Sequence, residues 1–307
     1  APEILNAAGS ITGISGFIGS RLSKQLLNNG HYIVGLDFNE PKHDSFNKFI
    51  QVDISKINLD NINLKNIDVI VHAAAQSGGY KSLGEPELDF NWNCVGSFNI
   101  AMLAKKLKVK KVIYLSSMSV YGNNLSVDEN TLPNPISYYG ASKLCGESYF
   151  KIIKEHNEIP FVILRLFATY GSGQDLKNMH QGILSIYLSQ ALKGNTISIT
   201  GKKDRIRELV HVNDVLKIII NAIDQNNLNN QIFNVTNGIP VSPNDIIVEI
   251  SKKLNKPLEI IELDGYVGDQ TNIKTSLKNR LNEYNLMPKI NLDEGINEFI
   301  NNIQKEK

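Results

Sequence analysis

This sequence lacks most of the features that would place it in a specialised class. It has two cysteines in 307 residues, Cys94 and Cys145, far apart and in no CxxC pairing. That excludes a disulfide framework and a cysteine zinc site, and both read as small, buried, reduced residues. Six scattered histidines form no HExxH and show no paired ligand spacing, so no metal centre is expected. Charge of one sign is missing as well. Lys+Arg 32 against Asp+Glu 31 leaves a net +1, with no field to attract nucleic acid or an anionic membrane. Any anionic ligand would have to be met by individually placed arginines or backbone amides. No apolar run reaches the length that crosses a bilayer. The opening APEILNAAGS has no basic stretch followed by an apolar one, so no secretory signal is expected and the cytoplasm is the expected compartment. It also begins without Met, which suggests processing. Internal repeats and low-complexity tails are absent.

What the chain does contain begins at Ser10-Ile-Thr12, which runs into Gly13-Ile-Ser15-Gly16-Phe17-Ile18-Gly19. Apolar residues then recur at helical spacing through Leu22, Leu26 and Leu27 to a stop at Gly30. HYIVGLD follows as a short apolar run ending in Asp37. Strand, glycine turn, helix, strand and acid in this order fit a dinucleotide. The glycines allow a tight turn and close approach to a pyrophosphate, which sits on the helix N-terminus. Asp37 lies 18 residues after Gly19, about where a carboxylate binds an adenosine ribose. A carboxylate repels a 2′-phosphate and no Arg follows in Phe38-Asn-Glu40, which favours NAD over NADP. The turn and helix start, Gly13, Ser15, Gly16, Phe17, Ile18 and Gly19, are the expected pyrophosphate contacts. NAAGSIT is a weak sequence for the central strand that should precede such a turn.

FIQVDI (49–54), VIVHAAA (69–75) and KVIYLSS (111–117) continue the short apolar runs, with a long amphipathic segment over 87–106 between the last two. Strands alternating with helices predict an α/β fold with a doubly wound parallel sheet, whose ligands lie beyond the carboxyl ends of the strands. Asp53, Ile54, Ala73, Ala74, Ala75, Gln76, Ser116 and Ser117 fall at those ends. His72 reads as a packed, hydrogen-bonded histidine, because alanines follow where a nicotinamide ring would need room. In SYYGASKLCGE, Tyr139 and Lys143 stand at i and i+4 on one helix face. An ammonium beside a phenol stabilises the phenolate and lowers its pKa from about 10, giving a candidate acid/base for a hydroxyl proton. With 11 tyrosines, one Tyr-x-x-x-Lys proves nothing alone.

PFVILRLFATYG (160–171) reads as one buried strand and turn. Helices are expected at 182–192, 214–223, after Ser242-Pro243, around 275–283 and at 292–303, with strands at 197–200 and in QIFNV. The second lobe is woven out of and back into the first.

Together these motifs resemble the extended short-chain dehydrogenase/reductase superfamily, within its NAD-dependent sugar-nucleotide epimerase/dehydratase family, and within that a UDP-glucose 4-epimerase. The resemblance runs from Gly13 to about Pro288. It is carried by Gly13-x-x-Gly16-x-x-Gly19, Asp37, Asp53-Ile54, HAAAQ (72–76), Asn93-x-x-Gly96, LSSMSVYG (115–122) and Tyr139-x-x-x-Lys143. Later carriers are LRLFATYG (164–171), Asn178-Met179, the Arg207 segment and Gly268-Asp269. The implied fold is a Rossmann domain over 1–167, with return segments near 208–236, and a smaller interleaved substrate-binding lobe over 168–307. The implied roles make Tyr139 the acid/base, Lys143 the ribose-binding partner that tunes it, and Ser117 the hydrogen bond to the reacting oxygen. Asp53 and Ile54 would touch the adenine, and Asn93 the cofactor side of the site. The implied partners are a nucleoside-diphosphate sugar and a second copy of the chain, through the helices at 87–106 and 137–156.

Family members that eliminate water or carbon dioxide resemble one another in placing acids just before the VYG. Here Met118 and Ser119 stand there, and neither can act as acid or base. An epimerase acting at C4 of a nucleoside-diphosphate hexose is therefore expected, with a 4-keto-sugar reductase and a dinucleotide-sensing protein as the other readings. Two positions depart from the family. Ala168 replaces the usual Asn after the Phe, and Tyr266 replaces the usual Arg three residues before Asp269. Arg207, helped by Arg205, is left to hold a diphosphate. Gln76, Ser117, Lys177, Asn178, Met179, Gln181 and Tyr266 are the other expected substrate contacts.

Overall fold

A computed structural model describes residues 8–180, 182–266, 268–270, 272–276 and 279–305. In chain order its strands are β1 (Ala8–Thr12), β2 (Tyr32–Asp37), β3 (Lys48–Gln51), β4 (Val69–His72), β5 (Lys111–Ser117), β6 (Ser126–Val127) and β7 (Phe161–Leu166). They continue with β8 (Ala168–Tyr170), β9 (Thr196–Thr200), β10 (Arg207–His211), β11 (Gln231–Val235), β12 (Pro240–Val241), β13 (Glu259–Leu263) and β14 (Lys274–Thr275). The helices are α1 (Phe17–Asn28), α2 (Gly79–Gly84), α3 (Pro86–Asp89), α4 (Gly96–Leu107), α5 (Tyr138–Asn157), α6 (Ile183–Lys193), α7 (Val212–Asp224), α8 (Pro243–Leu254) and α9 (Leu292–Lys305).

Seven strands form one parallel sheet in the order β11-β7-β5-β4-β1-β2-β3. Parallel strands need crossovers, so both faces are covered and the central strands are mostly apolar and buried; all seven residues of β5 are buried. Leu22 and Leu26 of α1 pack with Val215, Leu216 and Ile219 of α7 on one face. On the other, Ile100 and Leu103 of α4 pack with Phe150 and Ile153 of α5. The weak sequence before the glycine turn does form β1, in the middle of the sheet. Ile33 fills the space beside Gly9, where a side chain's Cβ would lie 3.6 Å from its Cδ1.

The remaining elements build a smaller lobe. β12-β10-β8 and β13-β9 are its sheets, and Leu184, Leu188, Ile197, Ile246, Ile250 and Phe299 fill its core. α7 and β11 return to the large sheet, so the chain crosses between the lobes more than once.

Three expectations are corrected. The segment 160–171 is two strands in different sheets: buried Phe167 breaks it, with β7 pairing β5 and β8 pairing β10. The short helical stretch expected around 275–283 is helical only as a 3-10 turn at Arg280–Tyr284; Thr275 belongs to β14, which pairs with β6. Leu277 and Lys278 lie outside the described residues. The amphipathic stretch 87–106 is helical but holds a π-helical turn at Phe90–Val95, a local widening common where a helix meets a site. That turn also brings Cys94 into contact with Cys145, which the sequence places far apart.

Candidate active site

The carboxyl ends of β1, β2 and β4 open onto a cleft. It is lined by Gly13, Ser15, Gly16, Asp37, Asp53, Ile54, Ala73, Ala74 and Ala75, all expected contacts, and by Phe38, Asn39, Val52 and Trp92, which were not. Gly13 has φ +73°, and a Cβ there would lie 2.7 Å from the Ala74 backbone. A Cβ on Gly19 would lie 2.9 Å from the Gly13 carbonyl carbon, so α1 sits directly on the turn. Only glycine fits either position. No side chain caps the first turn of α1, and its orphan N–H groups and positive dipole end are free for a phosphate. Asp37 accepts from Ser15 N and Asn39 N, both at 3.0 Å, which fixes its carboxylate at the rim of the cleft. Asp53 is held in the same way by Ser55 N at 2.9 Å and Ser55 Oγ at 2.7 Å. A glycine cradle, an uncapped helix start and a fixed carboxylate at the end of β2 are what NAD requires, and the residues fit it. Phe38 and Trp92 pair across the outer wall with ring centroids 5.1 Å apart. The sole tryptophan gave no signal in the sequence because no spacing ties it to the glycine turn.

Beyond β5, α5 begins at Ser137, whose Oγ accepts from Gly140 N at 3.1 Å. Ser82 Oγ accepts from Tyr139 N, so α2 and the start of α5 are pinned together. Tyr139 is half-buried and Lys143 buried, its ammonium 4.3 Å from the centroid of the Tyr114 ring. The protein alone changes the expectation about this pair. Burial, with the Asp89 charge, pushes the Tyr139 phenol up to about 12, while a hydrogen bond from Ser117 pulls it back. Burial likewise pulls Lys143 down to about 7, against the carboxylates of Asp89 and Glu147 and the Cys94 thiol. Desolvation therefore dominates at both groups, and the Lys143 ammonium expected to acidify the phenol is not among the charges that shift it.

The other expected residues are placed unequally. Ser117 Oγ accepts from Ser119 N at 3.1 Å and faces the phenol. Ser116 is buried and donates to Glu147 Oε1 at 2.6 Å, so its hydroxyl is engaged by the protein. Asn93 is a clamp: its amide oxygen accepts from Gln76 N at 2.9 Å. Its nitrogen donates to Gln76 O, Asp89 Oδ1 and Ser142 Oγ at 3.0–3.1 Å. Gln76 is buried beside it with Oε1 unbonded. His72 is fully buried between Thr12 Oγ1 at 2.7 Å and Ser97 Oγ at 3.0 Å, the packed histidine expected. Burial, and then the Lys143 charge, holds its pKa well below the usual value.

The other expected substrate contacts lie in loops and at the start of β10. Arg205 and Arg207 both pair with Asp269, Arg207 at 3.3 Å, and Arg207 also donates to Gln270 O. Burial, with the charge of Arg205, brings Arg207 down to about 10, still charged at neutral pH. Tyr266 meets Tyr80 edge to face at 5.2 Å, and Tyr80 stacks on His180 at 6.0 Å, an aromatic group of which only Tyr266 was foreseen. Asn178 Oδ1 caps His180 N at 3.0 Å and Met179 is exposed. Gln181 lies outside the described residues.

A family profile described as NAD dependent epimerase/dehydratase family matches residues 10–236. A Methanocaldococcus jannaschii protein provisionally named a UDP-glucose 4-epimerase is 33% identical over 299 residues, covering 95% of this chain and 96% of its own. Among solved structures, the UDP-glucose 4-epimerase of Thermotoga maritima with UDP-glucose superposes with a TM-score of 0.90 at 26% identity, covering 97% of this chain and 99% of that one. MoeE5 in complex with UDP-glucose and NAD gives 0.89 at 25% identity over 98% and 99%. The cleft and its glycine cradle thus sit in a chain that belongs to the NAD-dependent epimerase/dehydratase family.

Proposed function

We propose that this protein is an NAD-dependent epimerase that inverts C4 of a nucleoside-diphosphate hexose through a transient 4-keto sugar. What supports this reading is that Ser117 at the end of β5 faces the Tyr139 phenol, with Lys143 one turn further along the same helix, next to Met118 and Ser119, which cannot drive an elimination. NAD, when bound, supplies the acceptor for the hydrogen at C4 and a cationic ring that favours the phenolate. Tyr139 takes the C4 hydroxyl proton, Ser117 holds the same oxygen, and the Lys143 ammonium stabilises the phenolate. The sugar then presents its other face, and Tyr139 returns the proton. The uses recorded for the relatives, UDP-glucose among them, support this substrate class.

In this reading residues 1–167 and the return near 208–236 hold the cofactor, and 168–307 mainly hold the substrate. Arg207 and Arg205 anchor the diphosphate, taking over from the missing Asn and Arg at Ala168 and Tyr266. Gln76, Asn178, Met179 and Tyr266 line the sugar side. A homodimer forms through α4 and α5, where Phe98 and Ile152 are 43% and 50% exposed. The enzyme works in the cytoplasm, in carbohydrate biosynthesis. The test is a screen of UDP-, dTDP-, GDP- and CDP-hexoses against purified protein without added cofactor, with products identified by NMR. Interconversion of a C4 pair is expected. Turnover only with stoichiometric NADH or NADPH would replace this reading with a keto-sugar reductase.

A further inference from the structure

The part of the cleft between Asp37 and Asp53 has one side fixed by the fold and one that is not. The inner side is fixed. Ile54 lies against α4, where a Cβ on Gly96 would fall 2.8 Å from its Cδ1, and its carbonyl accepts from Asn99 Nδ2 at 2.8 Å. Asp37 and Asp53 are each held by two hydrogen bonds at 3.0 Å or less. The outer side is Phe38 and Trp92, and no role above uses them. Their ring centroids lie 5.1 Å apart at an interplanar angle of 35°, within the range where aromatic pairs attract.

The two rings come from separate elements with anchored backbones. Phe38 follows the end of β2, and its carbonyl accepts from Gln51 Nε2 at 3.0 Å. Trp92 stands in the π-helical turn, whose next residue, Asn93, exchanges hydrogen bonds with the backbone of Gln76. The side chains themselves stay near water: Phe38 is 47% exposed and Trp92 half-buried. They meet each other, and the Lys81 ammonium lies 5.8 Å from the Trp92 ring. Exposed side chains change rotamer far faster than a sheet rearranges, so this pair can part while the inner side stays in place.

We propose that Phe38 and Trp92 form an aromatic clasp over the adenosine half of NAD. The glycine turn takes the pyrophosphate, which leaves the cleft beyond Asp37 for the adenosine. The rings part to admit it and close again outside it, so bound NAD exchanges slowly with the medium. Slow exchange suits an enzyme that regenerates its cofactor in place, and it would limit one that must release the cofactor at every turnover.

The test uses the purified full chain with its NAD bound. Isotope-labelled NAD is added in excess, and replacement of the bound cofactor is followed by mass spectrometry. Phe38→Ala and Trp92→Ala should each speed exchange by about two- to tenfold, the rate equivalent of one aromatic pair. The double variant should exchange at the rate of the faster single one, because either loss already opens the pair. Trp92→Phe, which keeps a ring, should recover slow exchange in part. Trp92 is the sole tryptophan, which gives a second reading. Acrylamide should quench its emission more strongly in Phe38→Ala than in wild type, since the ring that shields the indole is gone. Unchanged exchange in both alanine variants, effects that multiply in the double variant, or equal quenching in Phe38→Ala and wild type would overturn the proposal. So would a protein that neither carries NAD nor takes it up. No nucleotide sugar enters either measurement, so a failure of the epimerase reading leaves this test standing.

Discussion

Gly146→Ala tests the link between packing and catalysis without touching any group that meets substrate or cofactor. Gly146 lies on α5 one turn after Lys143, where the helix presses on β5. A Cβ added there would lie 2.6 Å from Cζ of Tyr114, still closer to its hydroxyl oxygen, and 3.0 Å from Ser97 Oγ. Tyr114 cannot yield. It is fully buried, its ring lies between His72 at 5.4 Å and Phe150 at 4.9 Å, and its hydroxyl donates to Lys143 O at 3.2 Å. Carbon atoms prefer a separation near 3.5–4.0 Å, so α5 must back away by about 1 Å. Overpacking of this kind costs about 1–3 kcal/mol. That lowers Tm by about 2–4 °C per kcal/mol if the large lobe unfolds by itself, and by less if both lobes unfold in one two-state transition. The same shift carries Tyr139 and Lys143 away from the cleft, and a misplacement of about 1 Å can cost about 100-fold in rate. Scanning calorimetry and steady-state turnover read the two effects. If Gly146→Ala melts with wild type and keeps kcat within about twofold, the close packing of α5 on Tyr114 does not position the site.

Other consequences follow from the same geometry. Tyr139→Phe should lower turnover by about 100- to 10,000-fold, the usual contribution of a positioned acid/base, with the NAD carried through purification unchanged; full activity in this variant refutes the role. The same variant reports the raised pKa of this phenol. The Tyr139 pKa is raised in the folded chain from 10.0 to about 12. Above pH 10 the unfolded chain gives up a proton that the folded chain keeps, so wild type loses stability as pH rises from 10 through 12. Denaturant midpoints measured over that range should fall more steeply for wild type than for Tyr139→Phe; parallel curves contradict the raised phenol. The paired replacement Phe98→Glu with Ile152→Glu should turn a dimer into a monomer by light scattering, and a wild type that is already monomeric removes that interface.

How much of this was written in the sequence follows from the range of each interaction. The glycine turn, Asp37 and the Tyr139–Lys143 spacing are local signals: glycine permits a backbone that other residues do not, and i, i+4 residues share a helix face. The buried strands were legible because a sheet covered on both faces needs unbroken apolar runs, and KVIYLSS became β5 residue for residue. Phe167 hid the change of sheet because a buried aromatic looks alike at a break and in a strand. Asp89 was invisible for another reason. It sits in PELD, an acidic first turn after proline that normally faces water, and only the π-helical turn and the approach of α5 bury it. The shifts at Tyr139 and Lys143 depend in the same way on how much water the fold removes, which no spacing encodes.

The central claim is that the hydrogen removed from C4 returns to the same carbon while Tyr139 handles the proton of the hydroxyl beside it. A UDP-hexose carrying deuterium at C4, incubated with the enzyme in ordinary water and examined by NMR, tests this most directly. The account predicts a C4-inverted product that keeps its deuterium at C4 and gains no solvent hydrogen there. Loss of the label to water during inversion would contradict it.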